Sequence, residues 1–140
     1  MTLPDPCPDD GFDGAGLKPL DVVTTVKSLG RRWGAVLDRS DEDADLVTRR
    51  PPDGGPSAAE LAAEAAAGLD AASGDAGAGA YPSTDVRAAA SRLAGFLDRL
   101  DADAWSAPGV ADAARRGAHA GVHWLRPAER AVEAARRSRD

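Results

Sequence analysis

The chain has 140 residues, enough for one domain with one modest core, and its net charge of −6 argues against general nucleic-acid binding, which needs a basic footprint. A single cysteine, Cys7, excludes an intramolecular disulfide, and no apolar run reaches the roughly 18 residues that span a membrane. With no basic-then-apolar signal pattern at the start, a cytoplasmic location with neither nucleic acid nor membrane as partner is the expectation.

Alanine is the commonest residue and aromatics make up only 4% of the chain, so the composition favours helix. A core built from so much alanine is thin and depends on close helix approach. It leaves open a homodimer that would add burial.

Residues 1–19 carry Pro4, Pro6, Pro8 and Pro19 with Gly11, Gly14 and Gly16, and read as an irregular lead-in. The bundle domain is expected over residues 20–140. A first helix follows, capped near Asp21, with Leu20, Val23, Val26, Leu29, Trp33 and Val36 on one face. It fades in the acidic run Ser40–Asp45, after which Leu46 and Val47 add a short turn packed on the rest. Arg50–Pro56 is a loop rich in Pro and Gly. Ser57 with Glu60 three residues on is a capping-box pattern, and it predicts a second helix over 58–72 with Leu61, Ala65, Leu69 and Ala72 inward.

Ser73–Ala80 reads as a Gly/Ala-rich connection. Pro82–Asp85 starts a third helix whose apolar face holds Val86, Ala89, Leu93, Phe96, Leu97 and Leu100. Asp101–Gly109 is the next connection. A fourth helix begins near Gly109, and Pro127, which cannot donate to the carbonyl of His123, predicts a kink or restart there. Four amphipathic helices joined by modest loops read as an all-α, antiparallel four-helix bundle.

The only two histidines, His119 and His123, lie four apart within this last helix. That spacing stacks both imidazoles on one helical face, the arrangement used in helical zinc sites. A catalytic zinc usually takes three protein ligands, so the remaining ligand would be Asp, Glu or Cys. Glu64 is a candidate on the second helix, within the alanine stretch Leu61–Ala67 and without a basic partner at i+4. On the helical wheel the two histidines also lie off the stripe of Ala118, Leu125 and Val132, which alone would make them boundary residues. Cys7 lies in the irregular lead-in and reads as an inert thiol, and Trp33 and Trp105 read as packing residues. From Arg115 onward the chain carries seven arginines, which suit a helix C-terminal end.

Several segments resemble one family. Arg49-Arg-Pro-Pro-Asp-Gly-Gly-Pro-Ser57 through Glu64 is similar to the start of helix two in DinB-like proteins, the DinB/YfiT-like metalloenzyme family. Leu97–Gly109, with Trp105 after its acidic residues, is similar to the junction of helices three and four. His119-Ala-Gly-Val-His123-Trp-Leu resembles the helix-four motif His-x-x-x-His-His-Leu. Cys7-Pro-Asp-Asp-Gly-Phe-Asp13 resembles a Cys-Pro-x-Cys-Gly-Phe-Asp lead-in. The motifs occur in the family's order through nearly the whole chain. Departures are Glu64 for a histidine, Trp124 for a histidine, Pro127 for an aspartate, Pro56 for a tryptophan and Asp10 for a cysteine.

The resemblance implies a metal triad of Glu64, His119 and His123. The implied ion is a divalent metal, zinc first, with nickel, manganese or iron as alternatives. It also implies a thiol-dependent transferase of the kind that uses mycothiol, bacillithiol or glutathione on a small electrophile. Arg116, Arg126 and Arg130 are candidates to hold the thiol cofactor's carboxylate. The alternative from a different class is a non-catalytic, metal-free bundle that binds a partner, for which Glu64 would face solvent.

Overall fold

The computed structural model describes residues 7, 12–13, 17–38, 45–79, 83 and 85–138. Most of the lead-in, most of the acidic run and Pro82 with Thr84 therefore lie outside the described residues. Among the described residues every regular element is helical. None of these helices is long and apolar enough to cross a membrane.

Helix α1 spans Pro19–Leu37, α2 Asp45–Thr48, α3 Ala58–Ala76, α4 Val86–Asp98, α5 Ala102–Trp105, α6 Val110–His123 and α7 Leu125–Arg137. Pro19 opens α1, where its missing N–H costs nothing, and the Lys18 amide donates to the Asp21 carboxylate at 3.3 Å. Val22, Val26, Leu29, Trp33 and Val36 form its buried stripe. Leu20 was expected inward but is 76% exposed, because it lies about 200° from Val22 on the wheel. The expected turn at Leu46 is α2, and Leu46 is buried.

The capping box forms as read. The Glu60 amide donates to Ser57 Oγ at 3.1 Å and the Ser57 amide to Glu60 Oε1 at 3.2 Å. Arg50 adds a bidentate pair to the same carboxylate, at 2.9 Å through both nitrogens. The Arg50 hydrogen bond, helped by the Ser57 amide, holds the Glu60 carboxyl below its ordinary range. Helix α3 then runs past the expected end at Ala72 to Ala76, because Ser73 and Ala76 are also buried there. It ends at Gly77, whose φ of 106° suits glycine.

Asp85 caps α4 by accepting from the Ala88 amide at 2.8 Å. The connection after α4 contains the one-turn helix α5, capped by Asp101 accepting from the Ala104 amide at 2.8 Å. The break expected at Pro127 is a restart: α6 stops at His123, Trp124 intervenes, and α7 carries Pro127 in its first turn.

Helices α1 and α4 run antiparallel, as their ion pairs show: Lys27 with Asp98 at 3.0 Å and Asp38 with Arg87 at 3.1 Å. Helix α3 packs most extensively on α6, also antiparallel. A Cβ added at Gly68 would overlap Ala120, and one added at Gly117 would lie 2.9 Å from Ala72 Cβ. These small residues let the two helix backbones approach, which is how a core short of bulk closes. Its larger members are Leu29, Trp33, Leu46, Leu69, Leu93 and Leu97, all fully buried.

Candidate metal centre

Helix α6 presents Gly117 and Ala120 to α3, so His119, about 100° round from Ala120 and about 160° from Gly117, lies off that contact. Cys7, Phe12 and Leu17 meet the face it occupies. Phe12 stacks flat on the His119 ring, with centroids 4.4 Å apart and planes 7° from parallel. One turn earlier, Arg115 donates to the Leu17 carbonyl at 3.2 Å. One turn later, Cys7 Sγ lies 3.7 Å from His123 Nδ1. The Cys7 amide donates to the Phe12 carbonyl at 2.8 Å, which ties the two residues to each other. Residues 7, 12 and 17 thus meet three successive turns of α6.

The result is a compact donor set. One atom each from Cys7, His119 and His123 lies within 4.8 Å of the others. Cys7 and His119 are buried and His123 is half-buried. The His119 and His123 rings meet edge to face at 5.5 Å, and Trp124 packs edge-on against His123 at 4.7 Å.

The Cys7–His123 pair has the spacing that a tetrahedral cation would need. Ligand bonds of about 2.3 Å to sulfur and about 2.1 Å to nitrogen put those two atoms about 3.5 Å apart. The separation of Cys7 Sγ from His123 Nδ1 is 3.7 Å. One thiolate with two imidazoles is a soft-to-borderline set, suited to zinc or copper rather than to manganese or magnesium.

His119 and His123 come together. Glu64 is exposed on α3 and lies outside this group, because α3 turns Leu61, Ala65 and Leu69 inward. Among the described residues, the third donor beside the histidines is Cys7. Arg116 is paired with Asp75 at 2.9 Å, while Arg126 and Arg130 are exposed on α7. Sequence reasoning missed Cys7, Phe12 and Arg115. The lead-in Cys7–Asp13 was the available signal, but without the fold nothing linked it to residues more than a hundred positions on.

A groove of about 790 Å³ lies elsewhere, along α3, with Val47, Ala63, Ala67 and Val86 in its wall. It shares no lining residue with the donor set. Its polar groups are engaged: Asp70 accepts from the Ser83 amide at 2.8 Å and hydroxyl at 2.6 Å, and Arg87 pairs with Asp38 beside the groove. Chemistry therefore points to the Cys7 cluster, not to this groove.

Compared with protein-family models, curated proteins and solved structures, the chain has no match.

Proposed function

We propose that this chain is a metal-dependent enzyme of the DinB-like kind, an antiparallel four-helix bundle with α1, α3, α4 and the α6–α7 pair as its rods. In this reading Cys7, His119 and His123 hold one divalent cation, zinc in the first instance. The observation that carries it is the convergence of one thiol and two imidazoles within 4.8 Å. The family motifs that bracket both ends of the cluster support it, since Cys7 and Phe12 come from one and the histidines from another.

When bound, such a cation lowers the pKa of a thiol or water and supplies a nucleophile at neutral pH. The chain's own residues do the positioning. Three protein donors leave a fourth position for an exchangeable ligand. The Phe12 ring excludes water from one face of His119. His123, half-buried, gives the more open approach for a low-molecular-weight thiol and a small electrophile. Arg126 and Arg130, exposed just beyond His123 in the chain, suit the anionic end of such a thiol better than Arg116, which Asp75 already engages.

The burial of Cys7 and His119 favours a second reading, a closed structural centre without catalysis. Elemental analysis of purified wild type, Cys7→Ala, His119→Ala and Glu64→Ala separates the possibilities. About one equivalent of metal is expected in wild type and in Glu64→Ala, and none in the other two. A wild type without metal refutes the centre. Metal with no turnover across a panel of thiols and electrophiles leaves the structural centre.

A further inference from the structure

Trp33 reads from the sequence as a packing residue, and it is fully buried. Its indole does more than fill space: Nε1 donates to the Gly121 carbonyl at 2.9 Å, across 88 residues of chain. Gly121 lies between the two histidines in sequence. It also belongs to the last turn of α6, where the final four carbonyls of a helix lack an intrahelical partner. His123 is the terminal residue of that helix, the position most subject to fraying. Pro127 adds to the weakness, because it has no N–H to offer the His123 carbonyl.

From α1, therefore, two contacts fix this turn. Trp33 holds the Gly121 carbonyl, and Leu29 packs so closely on Gly121 that a Cβ there would lie 3.0 Å from Leu29 Cδ2. Together they set the height and rotation of the turn that carries His123. We propose that Trp33 is a positioning residue for the metal centre: its indole hydrogen bond pins the last turn of α6 and holds His123 at ligand distance from Cys7. The inference rests on the metal-centre reading above. Trp33 acts through the backbone carbonyl of Gly121. Partners that orient metal ligands typically contribute about 10- to 100-fold to affinity, and an indirect one belongs at the lower end.

The test is zinc affinity, measured by competition with a chromophoric chelator, for wild type, Trp33→Phe and Leu97→Ala. Leu97 is a buried residue of α4 and serves as a control for general loss of stability. Trp33→Phe is expected to bind one equivalent of zinc about 10-fold more weakly, with an altered thiolate-to-metal band when cobalt(II) is substituted. Leu97→Ala is expected to keep wild-type affinity. Equal losses in the two variants, or no loss in Trp33→Phe, overturn the proposal and leave the centre standing. A wild type whose zinc binding is absent, or survives Cys7→Ala, overturns the centre and the proposal with it.

A second measurement needs no variant that has to fold. Coupling is reciprocal, so zinc must strengthen the Trp33 bond by the factor the bond lends to zinc. Exchange of the Trp33 indole proton should slow about 10-fold more on zinc addition than exchange of the Leu97 amide. Equal slowing at both sites overturns the proposal.

Discussion

Gly121→Ala is the perturbation whose sign the fold decides against local preference. In an isolated helix the change would stabilise, since alanine is better than glycine by about 1 kcal/mol in a helix interior. Here the added methyl would meet Leu29, 3.0 Å from Cδ2, 3.1 Å from Cγ and closer still to Cδ1. Leu29 is fully buried and has no room to swing away. Forcing a methyl into a packed core costs about 1–3 kcal/mol, and contacts this short belong in the upper half of that range, so after the helical gain the net expectation is a loss of about 1–2 kcal/mol. For a chain of this length the unfolding entropy is about 0.3 kcal/mol/K, which converts the loss into a melting temperature lower by about 3–7 °C.

Gly30→Ala is the matched control. It lies inside α1, and an added methyl there meets nothing within 4 Å. It should raise the melting temperature by about 2–3 °C, from a gain of about 0.5–1 kcal/mol. Calorimetry or thermal circular dichroism on the three proteins reads both effects. A Gly121→Ala protein that melts with or above wild type would refute the packing of α1 on α6 on which the geometry of the centre depends.

Zinc at about 100-fold above its Kd should stabilise wild type by about 2.7 kcal/mol, a rise of about 9 °C in melting temperature. Cys7→Ala should show no such rise; a rise of equal size in that variant would remove Cys7 from the ligand set. Arg50 and Glu60 make a pH prediction. Because the Glu60 carboxyl is held low in the folded state, its contribution to stability is present above its unfolded value of about 4.3 and is lost as pH falls through the folded value. Both side chains are solvated, so the effect on stability is small. An NMR titration should place the Glu60 carboxyl higher in Arg50→Ala than in wild type, and an unmoved titration would contradict the bidentate pair.

Much of the local architecture was legible because its causes are local. Ser57 and Glu60 are three residues apart, so their reciprocal hydrogen bonds mark the start of α3 whatever packs around it. His119 and His123 share a face because the helical repeat puts them there. Pro127 lacks an N–H in any context, and α6 and α7 part beside it. The end of α3 was harder: Ser73–Ala76 has poor helix formers, and burial of Ser73 and Ala76 outweighs that preference. The exposure of Leu20 is a related case, where the entry of the chain into α1 places an apolar residue off the buried stripe.

The sequence by itself determined the longer helices, the cap at Ser57, the paired imidazoles and the scarcity of bulk that makes glycine and alanine the contact residues. Only the tertiary structure decided the third donor. Glu64 and Cys7 are both chemically acceptable ligands, and no spacing rule compares a residue two helices away with one 116 positions from His123. The choice follows from which side of α6 its small residues turn toward α3. Gly117 and Ala120 meet that helix, while His119 and His123 lie to the side of that contact, against Phe12 and the thiol of Cys7.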